Sequence, residues 1–321
     1  MKRRHAAAAL AAAPFSPLFT TPARAQAQPP IRLWVGTTPG GSTDAIARDI
    51  APEMGRLLGR TVVVENRSGA GGNIAADLVA KSAPDGNNLL VSFTSHTINA
   101  SLYKKLPFDP VADFTPLTML CTSTSVLVAH PSQPFRTVQE LVEQAKARPG
   151  KLSMGLGGIG SSLHLAGEAL KLQAGLDIIN VPYRGTAPAV ADLVAGNLSI
   201  MFAPFVNTRG LIQTGRLRAL GVTSPRRVPQ FPDIPAIAEA LPGYESQAWF
   251  GLFGPARLAA DLTQRLSDAA RAAVRTEAVR KRLENDIAEP VGSSPEEFAA
   301  FVKADVPRWE RLVRFSGATP D

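Results

Sequence analysis

Residues 31–35 read IRLWV, residues 36–44 read GTTPGGSTD and residues 45–58 read AIARDIAPEMGRLL. The first run has the length and apolar character of a buried strand, and the last reads as a helix. The join between them is Pro39-Gly40-Gly41-Ser42-Thr43-Asp44. Alternation of short β-like runs with helical stretches is the signature of an α/β protein with mainly parallel sheets. The alternation continues outward from this stretch. Strands are expected over 31–35, 61–65, 88–93, 125–129, 151–154, 178–181, 198–202 and 217–222, and helices over 43–58, 74–81, 138–147, 162–174 and 189–195. The last third is more helical, with amphipathic patterns over 258–274 and 295–315. Ser294-Pro295-Glu296-Glu297 opens the second of these with a capping serine, a proline at the first helical position and acids in the first turn.

Three further joins repeat the first: Gly69-Ala70-Gly71-Gly72-Asn73, Gly157-Gly158-Ile159-Gly160-Ser161-Ser162 and Arg184-Gly185-Thr186-Ala187-Pro188. Glycine lets main-chain N–H groups approach a ligand, and the helix that starts there aims its unpaired N–H groups and positive dipole end at the same spot. Such loops favour anions, and in α/β sheets they gather outside the carboxyl ends of the strands. A single loop of this kind is commonly just a tight turn. Four in one chain point to a site.

At 321 residues, length alone favours about two domains, and 45% apolar content is ample for a core. The net charge of +7 is no nucleic-acid signal, because Lys2, Arg3, Arg4 and Arg24 sit together at the start; without them 34 − 4 = 30 basic residues face 27 acidic ones. That start has a basic head, an apolar stretch over 6–19 and small residues at Ala23 and Ala25, the three-part layout of a secretory signal cleaved before Gln26. Arg3-Arg4 admits the twin-arginine export route beside the general secretory one. No later stretch offers 18 uninterrupted apolar residues, so the mature chain is expected to be exported and soluble. Cys121, the one cysteine, falls in an apolar run and reads as packing.

Two patterns offer catalysis instead. Gly155-Leu156-Gly157-Gly158-Ile159-Gly160 matches G-x-G-x-x-G, which makes a dinucleotide-dependent oxidoreductase the rival reading. That fingerprint wants an acid at the far end of the next strand, whereas Asp177 stands at its beginning. Ser101-Leu102-Tyr103-Lys104 matches the S-x-x-K of serine acyl-transfer enzymes, but S-D-N and K-T-G do not follow, and it reads as a short surface helix. His96, His130 and His164 are unpaired at helical spacing with one another or with a cysteine, so no metal set and no cofactor site are expected. His164, in the first turn of a helix, reads as a packed or capping side chain. An exported α/β protein with anion-cradling loops and no catalytic set reads as a binder.

Further motifs run the length of the chain. They include Pro39-Gly40-Gly41 with Asp44, Val64-Glu65-Asn66-Arg67 with the 69–73 join, and Leu106-Pro107-Phe108-Asp109-Pro110 with Asp113-Phe114. Gly160-Ser161-Ser162 with His164-Leu165, Val181-Pro182-Tyr183-Arg184-Gly185 and Leu217-Arg218-Ala219-Leu220 with Val222-Thr223-Ser224 follow. Pro232-Asp233-Ile234-Pro235, Pro242-Gly243-Tyr244-Glu245 and Ser294-Pro295-Glu296-Glu297-Phe298 complete the set. In these pieces, in this order, the sequence resembles the Bug or TctC-like family, periplasmic solute-binding receptors of tripartite tricarboxylate transporters.

The resemblance implies a two-lobed periplasmic-binding-protein fold, a type II-like Venus flytrap with its ligand cleft between the lobes. Residues 26–123 and 226–321 would form lobe 1 and residues 124–225 lobe 2, with crossings near Thr124 and Pro225. The cleft would collect Thr38, Gly40, Gly41 and Ser42; Arg67, Gly69, Ala70 and Gly71; and Thr94, Ser95 and Thr97 from lobe 1. From lobe 2 would come Gly157, Gly158, Gly160, Ser161 and Ser162; Tyr183, Arg184, Gly185 and Thr186; and Ala203. The implied partners are a small carboxylate, held through main-chain groups, hydroxyls and waters, and the inner-membrane transporter subunits. A monomeric receptor is implied, or a sensor that presents the ligand to a signalling partner. The sequence departs from the family at Leu156 and Ile159, where a hydroxyl and an amide are usual, and at Ala203, where an aspartate is common. If Ala203 faces the cleft, a ligand ammonium loses its partner there, so a carboxylate without an amino group is expected.

Overall fold

The computed structural model describes residues 28–320; the expected signal segment, with Arg3-Arg4 and His5, lies outside the described residues. The chain begins with β1 (Ile31–Val35) and α1 (Ser42–Leu58), then β2 (Val62–Asn66) and, after a 3₁₀ turn at Ala70–Gly72, α2 (Asn73–Ala80). β3 (Asn88–Phe93), α3 (Ser95–Leu102) and the long β4 (Phe114–Ser123) follow. Beyond Thr124 come β5 (Ser125–Ala129), α4 (Val138–Ala147), β6 (Ser153–Leu156), α5 (Ser162–Ala174) and β7 (Ile179–Pro182). The same region continues with α6 (Thr186–Val194), β8 (Ile200–Pro204), α7 (Phe205–Gln213), β9 (Arg218–Val222) and α8 (Ile237–Ala240). The last stretch holds β10 (Ala248–Pro255), α9 (Ala260–Val274), α10 (Glu277–Asn285), β11 (Ala288–Pro290) and α11 (Pro295–Ser316).

These strands form two sheets, one in each lobe, with orders β11-β4-β10-β3-β1-β2 and β7-β6-β8-β5-β9. Each sheet is mixed rather than mainly parallel. β1 runs parallel to β2 and β3, and β6 parallel to β7 and β8, while β10 is antiparallel to β3 and β4 and β5 antiparallel to β8 and β9. The reason lies in the crossings: β4 carries the chain out of the first sheet and β10 brings it back, so the two run in opposite directions side by side.

In the first lobe Ile31, Leu33 and Val35 point to the core under α1 and α9, and Trp34, between them, points to a second core with Trp249, Phe253 and Phe298. Fully burying such a side chain contributes roughly 1.5–3 kcal/mol, so both faces of β1 hold helices on the sheet. β8 divides its side chains likewise: Ile200 and Phe202 enter one core, Met201 and Ala203 the other. Val228, Ile234, Ala236, Ile237 and Tyr244 also pack into these second-lobe cores, so the chain stays with the second sheet well past Pro225. Gln247 Nε2 then donates to Thr124 Oγ1 at 3.0 Å, tying the outgoing and returning segments together. α11, begun by the expected capping Ser294 with Glu297 answering it, joins Trp309, Leu312 and Val313 to Ile98 and Leu102 of the first lobe and Leu165 of the second. Cys121 is buried in the first core, and burial pushes its thiol pKa up. Among the described residues no helix is long and apolar enough to cross a membrane.

Candidate functional site

The parallel strands place the loops. The turns after β1, β2 and β3 emerge at one end of the first sheet, and those after β6, β7 and β8 at one end of the second, because parallel strands share a carboxyl end. The two lobes touch beside these ends: a Cβ on Gly160, in the loop after β6, would stand 2.6 Å from Leu102 Cδ2 of α3.

In the first lobe the loop is built around Asp44, which is buried in the first turn of α1. Its Oδ2 accepts the Gly40 N–H at 2.9 Å, its Oδ1 accepts Asn66 Nδ2 at 2.9 Å, and Arg48 Nε lies 3.0 and 3.1 Å from the two oxygens. The Arg48 hydrogen bonds hold the carboxyl at about 2, with help from Gly40 and Asn66, against the opposing effect of burial. Asn66 Nδ2 also donates to Thr37 O at 3.1 Å, so the ends of β1 and β2 are locked together. Close approach reinforces that lock, since a Cβ on Gly36 would lie 2.5 Å from Gly72 Cα. The Arg67 guanidinium sits 5.6 Å from the Trp34 ring centroid, and the residue is otherwise exposed.

The second lobe repeats the plan with different pins. A Cβ on Gly157 would stand 2.8 Å from Thr186 Oγ1, which brings the loops after β6 and β7 into contact. Ser161 Oγ caps α5 by accepting the His164 N–H at 3.2 Å and lies 2.8 Å from Gly158 O. The Tyr183 hydroxyl donates to Asp192 Oδ2 at 2.5 Å, a bond that pushes its pKa up to about 12. By contrast, α1, α2 and α6 start from Gly41, Gly72 and Gly185, none of which gives its helix a side-chain cap. No cap side chain takes up their first-turn N–H groups, although the Asn73 N–H at the start of α2 bonds Ala70 O.

Most of the expected site residues lie at these strand ends. Thr38, Gly40, Ser42, Arg67 and Arg184 are exposed there, as are Gly69, Ala70 and Gly71. Gly41, Ser95, Gly157, Gly158, Ser161 and Ser162 are half-buried, like Tyr183, Gly185 and Thr186. Three side chains do not fit the role. Thr94 and Thr97 are buried and occupied, Thr94 Oγ1 accepting the Trp249 N–H at 2.9 Å and Thr97 Oγ1 standing 2.7 Å from Asp305 Oδ2. Ala203 is 0% exposed, in the core with Val126 and Val128. Leu156 is likewise buried, so of the two apolar departures after β6 only Ile159 reaches the surface in part.

The dinucleotide pattern is explained by packing. A Cβ on Gly155 would lie 2.6 Å from Leu198 Cδ1, one on Gly157 would meet Thr186, and one on Gly160 would meet Leu102. Gly157 is pressed against the Thr186 main chain, Gly160 takes a positive φ of +71°, and Gly155 packs against the end of a leucine side chain. The S-x-x-K segment closes α3, with Leu102 buried against the second lobe rather than on the surface. Among the described residues no group of three His, Cys, Asp or Glu side chains could hold a metal ion. A groove of about 450 Å³ lies elsewhere, between α5, the 243–245 turn and α11, but its Tyr244 hydroxyl is bonded to Ala166 O and its Arg308 to Glu245 O. Sequence reading missed Asn99, whose Nδ2 donates to Gly71 O at 3.1 Å, and Asp305, which accepts from both Trp249 Nε1 and Trp309 Nε1.

The sequence model for the tripartite tricarboxylate transporter family receptor matches residues 46–317. Protein BugT of Bordetella pertussis is 36% identical over 302 residues, covering 93% of this chain and 91% of its own. A UPF0065 protein encoded between tcbD and tcbE in Pseudomonas sp. strain P51 is 40% identical over 286 residues, covering 88% and 85%. Among solved structures, Rpa4515 of R. palustris with adipate superposes with a TM-score of 0.76 at 33% identity, over 92% of this chain and 99% of that one. MatC of Rhodopseudomonas palustris with bound malate gives 0.73 at 32%, over 89% and 99%. The periplasmic binding protein BugD gives 0.74 at 33%, over 92% and 99%.

Proposed function

The chain belongs to the tripartite tricarboxylate transporter receptor family, and from that premise we propose that it captures a small carboxylate between its lobes and delivers it to transporter subunits in the inner membrane. Of the proteins it superposes on, BugD is a periplasmic binding protein, and Rpa4515 and MatC hold adipate and malate. The observation that carries the reading is the set of three helix starts, at Gly41, Gly72 and Gly185, left without side-chain caps at the strand ends of both lobes. Those N–H groups and the exposed Arg67 and Arg184 supply positive potential for a carboxylate. Export by the N-terminal segment puts the receptor in the periplasm.

The ground that Ala203 gave for a ligand without an amino group falls, since that residue lies in the core, and the preference rests instead on Asp44. Asp44, the acid nearest in sequence to the first loop, is buried and already bonded to Arg48, Gly40 and Asn66, so it has no free oxygen to hold a ligand ammonium. The half-buried Ile159 favours a ligand with an apolar body. Thermal unfolding of residues 26–321, freed of co-purified ligand, tests this against mono-, di- and tricarboxylates, aromatic acids, amino acids and NAD. A ligand at about 100 times its Kd adds about 2.7 kcal/mol. A shift confined to carboxylates without an amino group is expected; a shift with NAD and none with acids would overturn the reading.

A further inference from the structure

Six helices start at the carboxyl ends of the parallel strands, and they fall into two kinds. α1, α3, α5 and α6 begin with a hydroxyl, that of Ser42, Ser95, Ser162 and Thr186, beside the N–H groups that suit a carboxylate. α2 and α7 begin with side chains turned inward. Asn73 is buried and its Oδ1 accepts Asn99 Nδ2 at 2.8 Å; Phe205 is buried and stacks on Phe231 with ring centroids 4.7 Å apart. In each of these two helices the second residue is apolar and faces water, Ile74 at 52% exposure and Val206 at 75%. Ile74 leans over the turn after β2, where a Cβ on Gly69 would lie 2.6 Å from its Cδ1. Val206 follows β8, whose neighbour β6 leads to the half-buried Ile159. Among the described residues one other large apolar side chain is more than half exposed, Ile179, and it opens β7 at the opposite end of the second sheet.

Apolar side chains exposed singly on a surface are ordinary. These two stand one to a lobe, both at the strand ends beside which the lobes touch. The longer polar side chains there are spent inside the protein: Asp44 on Arg48, Gly40 and Asn66, Ser161 on Gly158 and His164, and the Tyr183 hydroxyl on Asp192. We infer that Ile74 and Val206, with Ile159, select the body of the ligand, so that the solute is a carboxylic acid whose carbon chain or ring carries no hydroxyl. The inference rests on the receptor reading and deepens it. Closing the lobes over such a solute takes both side chains out of water against its hydrocarbon, which favours closure. A hydroxyl lodged against them gives up its water and gains no partner. The carboxylate oxygens meanwhile meet the N–H groups and hydroxyls at the other four helix starts.

Calorimetric titration of the mature chain, freed of co-purified ligand, tests this with acids paired so that they differ by one hydroxyl: succinate with malate, glutarate with hydroxyglutarate, phenylpropionate with phenyllactate. In any pair that binds, the member without the hydroxyl is expected to bind about 10-fold to 100-fold tighter. Val206→Thr keeps the shape of the side chain and puts a hydroxyl on it, and Ile74→Thr does the same on the other lobe. Each is expected to narrow the gap about fivefold, the worth of one hydrogen bond. Ile179→Thr, at the far end of its sheet, is expected to leave the gap unchanged. All three positions are exposed, so the substitutions spare the cores. A hydroxylated acid that binds as tightly as its partner overturns the inference and leaves the receptor reading standing. So does a gap that Val206→Thr and Ile74→Thr move no further than Ile179→Thr. Silence to every acid would sink the receptor reading itself, and this inference with it.

Discussion

Asp44 and Glu168 are buried acids that serve the loops from behind, and both are held at about 2. A carboxyl whose folded pKa lies below its ordinary value adds stability above that ordinary value and loses it as pH falls toward the folded one. For Glu168 the window runs from 4.5 down to about 2. Urea midpoints are therefore expected to drop steeply across that interval, and Glu168→Gln is expected to start lower at pH 7 and to vary less with acid. Ala203 gives a second expectation. Placed in the cleft, an aspartate there would act on the ligand; in the core where Ala203 sits, Ala203→Asp buries an unpartnered carboxylate. We expect a loss of about 3–5 kcal/mol in chemical denaturation, with ligand preference unchanged in whatever folds. The turns at the loop glycines were legible because their conformation is local. The partners of the buried acids were not: Asn66 lies 22 residues from Asp44 and Thr97 lies 208 from Asp305, distances that no motif spans.

The ends of β1 and α2 meet at a join that admits nothing larger than hydrogen. Gly36→Ala would drive a Cβ to 2.5 Å from Gly72 Cα, and both atoms belong to main chain with no side chain to swing aside. A destabilisation of about 1–3 kcal/mol is expected, read as a lowered melting temperature together with a smaller carboxylate shift. Strands with an apolar run were readable within two residues of their ends, as 31–35 and 88–93 illustrate. β4 and β10 were not. Each is apolar on successive residues, contains proline or glycine and lies between neighbours on both sides, so periodicity gives no strand signal. Missing them hid the antiparallel half of the first sheet. Of α3 only its end, read as a short helix at 101–104, was seen, and α7 escaped: with eight and nine residues and few charges, their polar side chains do not mark a period.

The two-lobed plan of the molecule followed from the family resemblance, the alternation giving the α/β class, but the seam between the lobes did not. α11 holds it, with Trp309, Leu312 and Val313 set against Ile98 and Leu102 on one side and Leu165 on the other. Trp309 is 0% exposed and its Nε1 donates to Asp305 Oδ2 at 2.8 Å. Trp309→Ala is expected to lose about 3–5 kcal/mol, measured as a shift of the urea midpoint, and to loosen both lobes at once because the cavity opens between them. A helix start could be read from Ser294-Pro295-Glu296-Glu297, yet nothing in the helix says which two surfaces its apolar stripe will cover. The buried thiol of Cys121 has a practical side. It is the only sulfhydryl in the chain, enclosed in the first core and kept protonated by that enclosure. Val206 is 75% exposed at the start of α7, beside the strand ends of the second lobe. A cysteine placed there would be the sole handle for a maleimide dye, turning the receptor into a fluorescent meter for its own solute.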